Sequence, residues 1–111
     1  MERTADFILI HFELSGGRLW PIAVLLFDPH ADRLYVRCRN DFGVVPDAES
    51  VRVVQLWLSQ LTAEAACGSG DAILRTLEST LSNAIQMSER SRISVADFDT
   101  TLGELCARYL Q

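Results

Sequence analysis

With 111 residues, 49% of them hydrophobic, the chain is long enough for one domain over 1–111 that buries about two thirds of its unfolded surface. A formal net charge of −5 removes the long-range attraction that drives phosphate-backbone binding, so nucleic acid is disfavoured as a partner. No apolar run approaches the roughly 20 residues of a membrane-spanning helix and no leader pattern opens the chain, so the expected setting is the cytoplasm, without a membrane.

The acidic excess lies in residues 40–111, whereas residues 1–39 balance five Arg against five acids. All ten basic residues are Arg, which fits a GC-rich bacterial coding bias and also suits planar, bidentate contacts with carboxylate or phosphate. Cys38, Cys67 and Cys106 are odd in number, widely spaced and without a CxxC pair, so neither a disulfide framework nor a zinc site is expected.

In chain order, Ile8, Ile10, Phe12 and Leu14 form an apolar alternate set over Asp6–Leu14, the pattern of a strand with one buried face. The opposite set, Phe7, Leu9, His11 and Glu13, begins apolar and ends polar. Ser15–Gly17 supplies a turn, because glycine tolerates positive φ. Leu19–Phe27 is apolar on both faces and reads as a central strand. Arg33–Arg39 alternates, with Leu34, Val36 and Cys38 on one side and Arg33, Tyr35, Arg37 and Arg39 on the other. An antiparallel meander with the second strand in the middle satisfies all three patterns.

The period then becomes helical. Asp47 suits an N-cap, and Val51, Val54, Leu58, Leu61 and Ala65 fall on one stripe that Val53 and Trp57 widen. In "CGSGD", Gly68 can end this helix and Ser69 or Asp71 can cap the next, whose stripe is Ile73, Leu77, Leu81 and Ile85. Ile93–Val95 is a short fourth strand candidate, Ser94 with Asp97 resembles a capping box, and Phe98, Leu102, Leu105 and Tyr109 mark a third helix. Strands first and helices after predict an α+β fold: a three-stranded antiparallel sheet, four-stranded if Ile93–Val95 joins it, with three helices on one face.

Four constellations carry chemistry-bearing residues. Asp28, His30 and Asp32 in "DPHAD" offer ligand types for a cation, but Asp and Pro also build a hairpin loop, and the loop reading is preferred; no metal is expected. His11 and Glu13 share a sheet face with Tyr35, Arg37 and Arg39, the best candidate binding surface for a carboxylate or phosphate. Cys67 before "GSGD" lies near a helix start, without the Lys-Ser/Thr pair of a phosphate loop. Asn83, Gln86, Ser88, Glu89, Arg90, Ser91 and Arg92 form a polar cluster placed at a helix end. None of these carries a family resemblance.

The apolar excess and the half-apolar Phe7–Leu9–Tyr35 face predict function by protein–protein association, as a homodimer or other homo-oligomer or an accessory subunit, with no cofactor and no catalytic set. One alternative is a small enzyme or anion-binding module using His11, Glu13, Arg37 and Arg39. A second is a nucleic-acid-binding regulator in which Arg37, Arg39, Arg90 and Arg92 gather on one face.

Overall fold

The computed structural model describes residues 3–43, 45, 47–80 and 84–110. Strands β1 (Arg3–Glu13), β2 (Leu19–Asp28) and β3 (Arg33–Cys38) precede helices α1 (Ala48–Cys67) and α2 (Gly70–Thr80). Strands β4 (Ile85–Met87) and β5 (Ser91–Val95) and helix α3 (Phe98–Tyr109) follow. The expected meander is present: the sheet order is β3-β2-β1, with β4 and β5 both on the far side of β1 and every pairing antiparallel. The β1–β2 turn needs its glycines, because Gly16 and Gly17 take φ of 83° and 80°.

Pairing Ile8 with Leu25 and Leu25 with Val36 puts Ile8, Ile10, Leu25, Phe27, Leu34 and Val36 on one face. There they form the main core with Val54, Leu58, Leu61 and Ala65 of α1 and Ile73, Leu74 and Leu77 of α2. Between Ile10↔Ala23 and His11↔Pro21 the register slips, leaving Ile22 as an extra residue of β2. The neighbouring Pro21 is thereby accommodated inside a sheet that otherwise has no place for it.

The three helices do not share one face, as the sequence pattern predicted. α3 packs on the opposite side, where buried Leu102 meets Val24 and Leu26, ringed by Phe7, Leu9, Tyr35 and Ile93. The physical reason lies in β2: Ile22 to Phe27 are all buried, and a strand apolar on both faces needs cover on both.

The second helical stripe also runs too far in the sequence reading. Ile85 and Met87 belong to β4, where they alternate and pair with Phe12 and Ile10, and Glu13 N–H donates to the Ala84 carbonyl at 2.8 Å. Strand pairing satisfies the outer backbone groups of β1, which outweighs a four-residue spacing inherited from α2. Leu81 and Asn83 lie outside the described residues. Ile93–Val95 is a strand, as expected, within the longer β5.

Of the polar cluster, Gln86 belongs to β4 and Ser91 and Arg92 to β5 rather than to a helix end. Residues 88–90 oppose only Ile8 and Leu9, a β-bulge between β4 and β5. Ser88 bridges it with both its groups: its N–H donates to Leu9 O and its Oγ accepts from Leu9 N, each at 2.9 Å.

The caps follow the sequence expectation in part. Asp47 Oδ1 accepts from Glu49 N at 3.1 Å, Ser69 Oγ accepts from Ala72 N at 3.3 Å, and Gly68 N–H closes α1 on Glu64 O at 2.8 Å. At α3 the cap is Asp97 alone, accepting from Asp99 N at 3.2 Å and Thr100 Oγ1 at 2.7 Å, while Ser94 sits inside β5. Val53 does not widen the buried stripe of α1: it is 61% exposed, and Leu56 one turn on is 69% exposed. Among the described residues, no helix is long and apolar enough to cross a membrane.

Candidate functional site

The "DPHAD" segment closes the β2–β3 hairpin by dividing its carboxylates between two structural tasks. Asp28, 1% exposed, takes His30 N–H at 3.0 Å and Ala31 N–H at 3.4 Å on Oδ1, and Arg3 Nη1 at 3.1 Å on Oδ2. A carboxylate so buried is tolerable because both oxygens are satisfied, one of them by a cation. His30 is exposed. Among the described residues, no group of three or more His, Cys, Asp or Glu is arranged to hold a metal ion.

Asp32 adopts the left-handed region, φ 51°, and reaches across to α2. Its Oδ2 accepts from Ser69 Oγ at 2.5 Å, its Oδ1 from Asp71 N at 2.8 Å, and its carbonyl from Gly70 N at 2.9 Å. The hairpin tip thus caps a helix distant in sequence and fixes β3 against it. The Ser69 hydroxyl, with the Asp71 N–H, holds the Asp32 carboxyl below the ordinary carboxylate range. Because the folded pKa is the lower one, this interaction stabilises the fold above pH of about 4 and is lost as pH falls through that range. Asp32→Ala is expected to lower the thermal midpoint at pH 7, and the gap to wild type should close on acidification. A gap independent of pH in calorimetric melts would rule out the carboxylate as its source.

β3 is the sheet's edge, and among the described residues it pairs only with β2. Arg39 N–H donates to Ile22 O at 2.8 Å, which sets the phase of the ladder. Alternation along an antiparallel pair then turns the backbone groups of Arg33, Tyr35 and Arg37 toward β2 and those of Leu34, Val36 and Cys38 outward. The Leu34 end is covered, since Gly70 packs against Leu34 N. Among the described residues no strand pairs with the outward backbone of Val36 and Cys38, although Val36 as a whole is buried.

This stretch runs between grooves on both faces. On the α1 side, a groove of about 690 Å³ is lined by Cys38, Arg39, Phe42, Ser59, Thr62 and Ala66, and a notch of about 160 Å³ by Val36, Thr62, Ala65 and Ala66. On the α3 side, a groove of about 520 Å³ is lined by Arg37, Arg39, Asp41, Gly103, Cys106 and Leu110. Cys38 Sγ lies 3.6 Å from Thr62 Oγ1, and burial pushes its thiol pKa up. Burial does the same to Cys106, opposed by the nearby Arg37.

Three arginines stand at this edge. Arg33 lies over the Tyr35 ring at 4.9 Å, and that ring stacks on Phe98 at 4.7 Å. Arg37 reaches Asp99 at 3.8 Å with both side chains exposed, a weakly held pair. Arg39 lies over Trp20 at 4.4 Å and donates to Pro21 O at 2.8 Å and Tyr109 O at 3.3 Å, so it ties β2 to the end of α3.

Of the five residues assigned to a binding surface, Tyr35, Arg37 and Arg39 therefore share the β3 edge. His11 and Glu13 sit at the far end of β1, where His11 lies between Pro21 and Gln86, and burial pushes its imidazole pKa down. Among the described residues, no ion pair or hydrogen bond joins either to Arg37 or Arg39. Phe7, Leu9 and Tyr35 do share one face, and α3 fills it within the same chain, with Phe7 against Tyr109 at 5.4 Å.

The four regulator arginines are divided between opposite edges. Arg90 pairs with Glu78 at 2.7 Å and Asp6 at 3.6 Å, and Arg92 with Asp6 at 3.7 Å. Cys67 is the last residue of α1, shortly before α2 begins at Gly70, and its thiol donates to Ala63 O at 3.4 Å. The grooves beside β3 were not legible in the sequence, since they depend on where α1 and α3 lie. No family model, characterised protein or solved structure matches the chain.

Proposed function

We propose that the protein works by protein–protein association, as a binding or accessory subunit, and that the open β3 edge is its docking surface. The observation that carries this reading is an unpaired strand edge flanked by a groove on each face. Unpaired N–H and C=O groups in a row are a template for another strand, and grooves above and below receive its alternating side chains. The outer face of the sheet, the other association surface expected from composition, is occupied by α3, which leaves the edge as the larger opportunity.

Ala66→Trp tests the reading without touching the core, because Ala66 is an exposed position of α1 that lines both α1-side openings. A tryptophan there fills the groove a docking strand needs. Cross-linking in the native cell extract is expected to yield an adduct with wild type that Ala66→Trp loses and Arg92→Gln, at the opposite edge, retains. Retention of every adduct by Ala66→Trp, with an unchanged melting curve, would refute the docking role of β3.

A further inference from the structure

We infer that the groove between the end of β3 and α3 binds a small carboxylic acid, its carboxylate held by Arg37 and Arg39 and its apolar body lying along α3. The inference stands apart from strand addition at β3, because the ligand fills the α3 side and the strand backbone takes no part. The groove, of about 520 Å³, lies within the size range of small-molecule sites. Its lining combines the two arginines with Cys38, Cys106 and Leu110, and Gly103 leaves it open, since a Cβ there would meet nothing within 4 Å. Burial pushes the pKa of both thiols up, so they stay neutral at pH 7 and add no negative charge to the site.

The two cations of this groove lack a close counter-charge. Arg39 lies over Trp20 and donates from Nε to Pro21 O and from Nη2 to Tyr109 O, all uncharged groups, and its Nη1 has no hydrogen-bond partner among the described residues. Burial pushes the Arg39 guanidinium below its ordinary pKa and Asp41 opposes this, yet among the described residues no carboxylate comes within ion-pair distance of it. Arg37, two residues earlier in the chain, has only the contact to Asp99 at 3.8 Å, with both side chains exposed. Arg90 and Arg92, by contrast, already meet Asp6 and Glu78. A guanidinium fork matches a carboxylate, and a partly desolvated cation gains most from such a partner. Asp41 also lines the groove and sets the ligand class, because its charge repels a dianionic phosphate about twice as strongly as a monoanionic carboxylate.

The test is an NMR titration of the full chain with benzoate, benzamide and phenyl phosphate at about pH 8, where the phosphate is a dianion. It is read at the Nε–H signals of Arg37 and Arg39 and at the amides of Gly103 and Cys106. Benzoate is expected to give saturable shifts at these sites, benzamide none, and phenyl phosphate weaker ones. Arg37→Gln should weaken benzoate by about tenfold, the equivalent of one charge-assisted hydrogen bond. Gly103→Leu should abolish the shifts by filling the groove, with a melting midpoint no lower than wild type, since leucine is the better helix former. Ala66→Trp, across the strand, should bind benzoate as wild type does, whatever becomes of strand docking. Shifts from benzamide equal to those from benzoate would overturn the carboxylate, and tighter binding of phenyl phosphate would overturn the monoanion. Benzoate shifts that survive Gly103→Leu, or no saturable shift in wild type, would overturn the site.

Discussion

Leu102→Ala is expected to destabilise the fold by about 2–5 kcal/mol, measured as a shift of the urea midpoint at unchanged slope. Leu102 is the one fully buried residue of α3, and it is set on Val24 and Leu26 of the central strand. Removing its isopropyl group leaves a cavity bounded by a sheet, which collapses less readily than a space between side chains. Phe7, Leu9, Tyr35 and Phe98 surround the site and lose packing partners on one side. Val53→Ala provides the contrast: at 61% exposure it should change stability by no more than about 0.5 kcal/mol, although the two residues look equally apolar in sequence. A Leu102→Ala shift as small as that of Val53→Ala would mean that α3 does not cover the outer face.

Gly70→Ala is the second large effect and acts by steric conflict rather than by a cavity. A Cβ at this position would stand 2.9 Å from Leu34 N and 2.9 Å from both Cδ1 and Cε1 of Phe27. Alanine at the start of a helix offers some gain in propensity, at most about 1 kcal/mol over glycine. Against this, overpacking a filled site costs about 1–3 kcal/mol, and here one of the conflicting atoms is backbone and the ring is itself buried. The clash wins, so the variant should melt below wild type. Gly103→Ala, on α3 with nothing within 4 Å of its Cβ, should melt above it by about 0.5–1 kcal/mol equivalent. Because Gly70 also carries the N–H that Asp32 O accepts, the alanine pushes the β2–β3 hairpin away from α2 and should mobilise the docking edge as well.

Which parts of this structure were readable beforehand follows from the physics of each segment. The three meander strands announced themselves through period-two alternation, and Asp47, Gly68 and Ser69 marked the helix ends through groups only a terminus requires. The position of α3 was also written in the chain, in the two-sided apolarity of Leu19–Phe27, but strand order alone does not say which helix covers which face. Ile85 fits a helix stripe by spacing alone, because a four-residue spacing is common to a helix stripe and to chance, and only the unmet hydrogen bonds of β1 decide between them. Of the candidate site, alternation correctly grouped Tyr35 with Arg37. His11 and Glu13 sit at the far end of β1, since residues on one sheet face are still separated by the width of β2. The capping of α2 by Asp32 spans 37 residues to Ser69 and has no local signature at all.

The most direct measurement is site-resolved amide hydrogen exchange of the full chain with and without a saturating, uncharged strand-forming peptide. Strand addition at β3 predicts new protection at the outward-facing amides of Val36 and Cys38, with Tyr35 and Arg37, already bonded to β2, unchanged. Protection confined to β4 and β5, or none at Val36 and Cys38 under saturating peptide, would contradict the assignment of β3 as the docking edge.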